Sequence, residues 1–398
     1  MAKPSKPSTK IFRIEPHHRK LISKTTLLKF LTAIDKPKLQ TPALLLDKEH
    51  IEKKMEVIGS NIANSRVFYA VKANPSPLVI KLLAKLGAGF EIASDGELAL
   101  CAKAGVKPDR IITSNPIKTF KFLKAAAKYG VQYYAFDSME EVDKIAHFVP
   151  GASVYVRLSV PNEGSEWPLS KKFGVEVEEA VDLVTYARQK GLDPCGITFH
   201  VGSQCTNVYN WDNAIYKARI LWDICARKGL KFRMIDIGGG YPVSYTKSVV
   251  GIEEIEKNID KLIKENFPPG QDGPEIFIEP GRAVVGDAGM YVTSVIGKSK
   301  RADEDWLHID VGVFNGLMES IGGIKYSYIV EDNRKAGVPR KHWTIAGPSC
   351  DSMDVIDQNV ELPEPSVGDI ILLLSCGAYT LSYASEFNGF SMPDTLLV

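Results

Sequence analysis

The stretch 67-VFYAVKANPSPLVIKLLAKLGAGFEIASDGELALCAKAGVKPDRIITS-114 sets a rhythm that the chain keeps as far as residue 278. A short apolar run rich in β-branched and aromatic residues comes first, then a loop, then an amphipathic stretch. The runs are Val67–Val71, Gly89–Ala93, Ile111–Ser114, Gln132–Phe136, Ser153–Leu158, Gly196–His200, Met234–Ile237 and Glu275–Ile278. Between them, Pro77–Leu86 and Lys118–Tyr129 carry apolar residues three and four apart, the period of a helix with one buried face. Near-continuous apolar strands alternating with helices describe a parallel sheet covered by helices. Eight such units predict a (β/α)8 barrel spanning 47–280, in preference to a doubly wound sheet of five or six strands.

Outward from this core the pattern changes. Beyond Gly281, the runs Tyr291–Ile296, Trp306–Asp310, Trp343–Ala346 and Ile370–Leu374 are separated by Gly, Pro and charge instead of long helices. Residues 281–398 are therefore expected to form a mostly β domain of sandwich or barrel type. On the other side lies the apolar run Leu44–Leu46, and before it residues 1–40 hold 10 Lys/Arg against 2 Asp/Glu. Residues 1–46 are expected to be a solvated basic tail with a segment joining the β domain.

Composition excludes several classes. The 398 residues carry a net charge of +1, which gives no reason to expect nucleic acid or a membrane surface as partner. No uninterrupted apolar stretch is long enough for a transmembrane helix, and the first ten residues, MAKPSKPSTK, have no apolar core of a secretory signal. Six cysteines, at 101, 195, 205, 225, 350 and 376, form no Cys-x-x-Cys pair. Neither a zinc ribbon nor a dithiol motif is expected, no metal ligands are assigned, and free thiols in a reducing cytoplasm are the expectation.

In a (β/α)8 barrel, chemistry sits at the C-terminal ends of the strands. The residues found there are Lys72 after the first run, Glu91 in the second, Arg157 in the fifth and His200 with Ser203 after the sixth. Gly238, Gly239 and Gly240 follow the seventh, and Glu279, Gly281 and Arg282 follow the eighth. A glycine turn beside an arginine can cradle a phosphate. A lysine amine can condense with an aldehyde, and a carboxylate on a pyridine nitrogen keeps it protonated. Together they describe pyridoxal 5′-phosphate. The turn Gly238–Pro242 lacks the G-x-G-x-x-G spacing of a nicotinamide site.

The phrases YAVKANP (69–75), HVGSQC (200–205), DIGGGYP (236–242), EPGR (279–282), GPSCDSMD (347–354) and GAYTLSYASEFNGF (377–390) occur in this order. In them the chain resembles the fold type III, pyridoxal-phosphate-dependent basic amino-acid decarboxylases, and its C-terminal phrases resemble the ornithine decarboxylase branch. The resemblance implies that Lys72 carries the cofactor, that His200 stacks on its ring and that Glu279 pairs with the ring nitrogen. Ser203, Gly238–Gly240, Gly281, Arg282 and Tyr379 would hold the phosphate, with Glu91 and Arg157 nearby. Glu91 stands where the family's ornithine enzymes usually have Asp. The resemblance also implies a homodimer with shared sites. In it, Cys350 from the neighbouring subunit returns a proton to Cα, Asp351 binds the distal ammonium, Phe390 lines the substrate, and Lys172 and Asp354 bridge the subunits. The implied reaction converts L-ornithine to putrescine, with L-lysine, or both, as alternative substrates.

The chain departs from the pattern in one place. After Asp310-Val311-Gly312, the family's Tyr-Asp pair near the distal amine is missing from Phe314–Tyr326, and Glu319 is the acid that could replace it. Two other functions are weighed against decarboxylation. A racemase on the same barrel uses an arginine at the ring nitrogen, which Glu279 opposes. A non-catalytic regulatory homologue would have no need of Lys72, His200, Cys350 and Asp351.

Overall fold

The computed structural model describes residues 10–36, 39–167, 172–267, 273–331 and 339–398. Eight parallel strands close into a barrel: Ser65–Ala70, Gly89–Glu91, Ile111–Thr113, Tyr133–Phe136, Ser153–Arg157, Asp193–Thr198, Met234–Asp236 and Glu275–Ile278. Each runs within or beside one of the eight apolar runs. Phe68, Ile112, Ala135, Tyr155, Cys195, Met234 and Phe277 fill the interior, one inward side chain from most strands. Alternating pleats place these residues inside and turn their neighbours to the helices.

Hydroxyl caps mark the starts of the helices that follow the first strands. Ser76, Ser94, Thr119 and Ser138 each accept a hydrogen bond from a backbone N–H in the first turn of the helix they open. Each satisfies a donor that the helix cannot use itself, which is worth about 1 kcal/mol. The loops at the strand ends are short and fixed for this reason. Ser203–Cys205 also pairs antiparallel with Ser165–Trp167 in a small two-stranded sheet that the sequence pattern does not announce.

A second compact unit contains an eight-stranded mixed sheet. Its main path runs Tyr328–Val330, Ile370–Leu374, Gly289–Arg301, Glu304–Ile309, Arg340–Ala346 and Val355–Pro363. Ala43–Leu46 pairs antiparallel with the long Gly289–Arg301 strand and parallel with Asp394–Leu397. Three of these strands escape the sequence pattern. In Val355–Pro363 the register against Arg340–Ala346 shifts twice and Asn359 sits at φ +58°, so alternation breaks.

The domain limits differ from those expected. The β unit takes in residues up to Ile51, begins again at Val285, and also claims Val243–Ser248 from inside the barrel sequence. Ser327 Oγ donates to Tyr245 O at 2.8 Å and Ser375 Oγ to Ser244 O at 2.7 Å, which holds that excursion to the sheet.

The basic start is not a free arm over its described part. Lys24–Ile34 is a helix capped by Ser23 that buries Leu27, Phe30, Ala33 and Ile34 against Leu45, Met290, Val292 and Leu372. The charge count misleads because the lysines occupy the other face; Lys29 pairs with Asp47 at 2.8 Å and Glu49 at 2.9 Å. Residues 1–9 lie outside the described residues. No helix among the described residues is long and apolar enough to cross a membrane.

This segment carries an acid-sensitive latch. His18 is 3% exposed, and its Nδ1 accepts from Glu15 N at 3.1 Å. Burial, with His17 beside it, pushes its pKa down to about 4. The unfolded chain therefore binds a proton near pH 6.5 that the folded chain refuses until about pH 4. Stability from this group is complete above pH 6.5 and is lost as pH falls through that window, by up to about 3 kcal/mol. Urea unfolding between pH 7 and 4 should show this fall, and His18→Gln should remove that share of it.

Candidate active site

Six of the barrel strands end on or lead into ionisable groups that face one another. Lys72 lies in the one-turn helix Val71–Ala73 directly after Ser65–Ala70. Its Nζ donates to Glu91 Oε2 at 3.0 Å; the Glu91 side chain is 1% exposed, while that of Lys72 keeps 45%. The pair thus combines a buried anion with an amine open to reaction. Glu91 reaches the lysine because the neighbouring strands hold Ala70 opposite Glu91.

A second carboxyl stands behind the first. Glu97 closes a capping arrangement, its N–H donating to Ser94 Oγ at 3.2 Å while its Oε2 accepts from Ala93 N at 2.6 Å. Burial and the nearby Glu91 raise its pKa to about 7.

His200 follows the sixth strand. Its Nδ1 accepts from Gly202 N at 3.0 Å, so its proton resides on Nε2. Burial and the charges of Arg157 and Lys72 push its pKa well down, which keeps the ring neutral. Arg157, at the end of its strand, stacks over Phe173 at 5.3 Å and faces Glu279, Asp137, Asp236 and Glu91. Burial lowers its proton affinity, and those carboxylates restore part of it.

The glycine turn after Met234–Asp236 admits no side chain. A Cβ on Gly238 would lie 2.5 Å from Phe199 O, on Gly239 2.4 Å from Glu279 O and on Gly240 2.6 Å from Gly202 O. Gly238 and Gly240 also sit at φ +63° and +97°, conformations that L side chains rarely adopt. Beside the turn, Arg282 Nη2 donates to Ser203 Oγ at 3.0 Å. Ala70 N donates to Pro280 O at 3.0 Å, and a Cβ on Gly281 would meet Ala73 at 2.8 Å. The Lys72 turn and the Glu279–Arg282 turn are therefore in contact.

Glu279 is the centre of the arrangement. It is 6% exposed, its Oε1 is buried without a hydrogen-bond partner, and its N–H donates to Gly238 O at 2.8 Å. Burial, with the carboxyls of Asp236 and Glu91 beside it, raises its pKa well above the usual range. Asp236, Ser114 and Tyr155 were not singled out by sequence reasoning. A lone acid inside the apolar run Met234–Ile237 was the available signal.

Cys350, Asp351, Phe390 and Tyr379 belong to the β unit. Cys350 is exposed and its N–H donates to Asn388 Oδ1 at 3.0 Å, which ties its loop to the turn carrying Phe390. Asp351 Oδ1 accepts from Met353 N at 2.8 Å, leaving its second oxygen for another partner. Phe390 is 38% exposed, and Tyr379 sits at φ +55° with its ring 6.3 Å from that of Tyr383. Glu319 is buried, 3% exposed, which gives its carboxylate little access to a substrate. Lys172 stands over Phe173 at 5.0 Å. Asp354 is buried in its own chain, accepting from Val313 N at 2.7 Å and Ser349 N at 2.9 Å.

The barrel residues fit pyridoxal 5′-phosphate on their own chemistry. A buried carboxyl oxygen without a partner suits a ring N–H, a side-chain-free turn beside a serine and an arginine suits a phosphate, and an accessible amine suits an aldehyde. Comparisons with known proteins agree. A family model described as pyridoxal-dependent decarboxylase, pyridoxal binding domain, matches residues 48–286. The lysine/ornithine decarboxylase of Selenomonas ruminantium is 37% identical over 90% of this chain and 90% of its own. A Xenopus laevis protein named antizyme inhibitor 2 is 36% identical over 81% of this chain and 73% of its own. The crystal structure of a Vibrio vulnificus lysine/ornithine decarboxylase complexed with cadaverine superposes with a TM-score of 0.85. It is 30% identical and covers 95% of this chain and 99% of that one.

Proposed function

This chain belongs to the pyridoxal-dependent decarboxylase family, and from that premise we propose that it removes the α-carboxylate of a basic amino acid, with L-ornithine and L-lysine both accepted. The observation that carries the reading is the Lys72 amine, 3.0 Å from buried Glu91 and borne on a turn whose Ala73 packs against the turn bearing Glu279. Bound there, pyridoxal 5′-phosphate supplies an electron sink for the pair left behind when CO2 departs.

The chain's own residues do the rest. Lys72 holds the cofactor by its amine, and Glu91 takes up the lysine's charge whenever that amine is released. Glu279 holds the ring nitrogen, and neutral His200 supplies a flat face to the ring without adding a competing positive charge. Gly238–Gly240, Gly281, Ser203 and Arg282 bind the phosphate. Arg157 balances the carboxylates collected at the mouth.

A second copy of the chain completes the site by contributing Cys350 as the proton donor to Cα, with Asp351 and Phe390 receiving the side chain of the substrate. Desolvating a distal ammonium without a fixed anion costs several kcal/mol, so Asp351 selects basic substrates. Exposed Met353, Tyr383, Phe387 and Phe390 on the same loops support a covering partner. In that dimer, Lys172 and Asp354 lie near the subunit boundary. The missing Tyr-Asp pair and the burial of Glu319 leave the far end of the pocket less restrictive, which supports accepting both chain lengths. The six unpaired thiols support a reducing cytoplasmic setting.

The test is CO2 release from L-ornithine, L-lysine, L-arginine, meso-diaminopimelate and 2,4-diaminobutyrate. Turnover of ornithine and lysine above the rest is expected; turnover of none by a cofactor-loaded preparation would overturn the reading. That outcome would favour the one rival with an observation behind it, a non-catalytic homologue, which the antizyme inhibitor 2 relative suggests.

Gly240→Ala is expected to weaken cofactor binding selectively. The strain of about 1–3 kcal/mol at φ +97°, taken from binding, amounts to roughly a 5-fold to 150-fold loss of affinity. Tryptophan fluorescence titrated with pyridoxal 5′-phosphate measures it, while the melting profile of the free protein reports any general unfolding.

A further inference from the structure

Asp236 has no part in the reading above, yet it is the most heavily bonded carboxylate at the barrel mouth. Its Oδ1 accepts from Gly238 N at 2.9 Å. Its Oδ2 accepts from Thr198 Oγ1 at 3.1 Å and from Ser114 Oγ at 3.3 Å. Ser114 Oγ is in turn 2.8 Å from Tyr155 Oη, and both lie inside the barrel. Since the single Ser114 hydrogen goes to Asp236, Tyr155 donates to Ser114, and three strands send donors toward one carboxylate. Such a group carries negative charge.

Glu279 lies on the other side. Its N–H donates to Gly238 O at 2.8 Å, and the N–H of that same Gly238 donates to Asp236, so the two residues stand side by side and both are buried. Two carboxyls buried next to each other do not both hold a negative charge, so one of them is an acid. The donors around Asp236 decide which one. Asp236 is the anion and Glu279 the acid, its Oε1 left without a partner. The remaining charged groups facing the pair are Glu91, Lys72, Arg157 and the neutral His200. They add one anion and two cations, with the Lys72 cation already held by Glu91.

We propose that Asp236 is a positioning residue that stores, on the Asp236–Glu279 pair of the cofactor-free protein, the proton that the ring nitrogen of pyridoxal 5′-phosphate carries after binding. The balance is simple. The Glu279 O–H bond breaks and its electron pair stays on the carboxylate; the nitrogen lone pair forms the N–H bond. Nothing is oxidised or reduced, and no proton is drawn from water for the ring. Turning the Glu279 carboxyl about its last bond brings the O–H to the side of the unpartnered oxygen. Asp236 then sits as a fixed anion behind Glu279 and keeps the proton on the nitrogen.

This inference rests on the proposed cofactor site, and the test separates the two. Infrared difference spectra of the full-length protein, with and without pyridoxal 5′-phosphate at neutral pH, read the carbonyl stretch of a protonated carboxylic acid. The free protein should show that band, the cofactor should abolish it, and it should shift in protein made with carboxyl-labelled glutamate. Glu279→Gln should lack it. Asp236→Asn keeps an acceptor for Gly238 N and offers Glu279 a donor, so its Glu279 should be ionised beforehand. Calorimetry in buffers of different protonation heat should then show one more proton taken from solvent per cofactor bound than in the wild type. Cofactor binding without loss of a glutamic-acid band, or an unchanged proton count in Asp236→Asn, overturns the proposal. Failure of the wild-type protein to bind the cofactor at all would instead overturn the functional reading on which it stands.

Discussion

Lys72→Ala abolishes decarboxylation, lowering the rate by roughly 10³-fold or more, as expected when the group that forms the covalent link is removed. The expectation follows from position. Lys72 emerges from the first barrel strand onto the mouth, its amine is accessible, and its partner Glu91 is not. Borohydride treatment followed by peptide mass analysis should find the cofactor fixed to Lys72 in the wild type and to no residue in the variant. Alanine also leaves Glu91 buried without its cation, so part of any loss could be instability. Lys72→Arg separates the two effects. It keeps a cation on Glu91 but offers no amine able to condense, so it should melt like the wild type and turn over like the alanine variant. Substantial activity in either variant would show that another amine carries the cofactor.

Mixing two inactive variants should restore activity. Cys350→Ala is expected to slow turnover by about 10²–10⁴-fold, the range for a positioned proton donor, while cofactor retention stays that of the wild type. Its backbone N–H bond to Asn388 is kept by alanine, so the loop should hold its shape. If each site draws Lys72 from one copy and Cys350 from the other, reassociation of equal amounts of Lys72→Ala and Cys350→Ala makes half the dimers mixed. Each mixed dimer has one complete site of its two, so about one quarter of wild-type activity returns. If both residues act within one chain, no mixture recovers anything. The same samples, sized by light scattering, report the dimer directly.

The barrel was legible because its signal is local. Each strand announces itself by a run of β-branched and aromatic residues, and helices such as Pro77–Lys85 and Phe120–Tyr129 by apolar residues three and four apart. Lys72, His200 and Glu279 could be picked out because barrel geometry brings every strand end to one rim, whatever the distance along the chain. The N-terminal segment was misread because lysine count was weighed above the spacing of Leu27, Phe30 and Ile34. In the β unit, Val355–Pro363 was missed because a bulge breaks the alternation, and Asp394–Leu397 because pairing with Ala43–Leu46 from the far end of the chain defines it.

Sequence alone determined where the eight barrel strands lie, which residues follow them at the mouth and what cofactor chemistry they suit, since these follow from periodicity and residue type. Tertiary structure alone decided which carboxyl meets which partner. Ser114 and Asp236 stand 122 positions apart, and Lys72 follows one strand while Glu91 ends the next. Local pattern holds no record of such distant contacts, yet burial and hydrogen bonds between them set which acid keeps its proton.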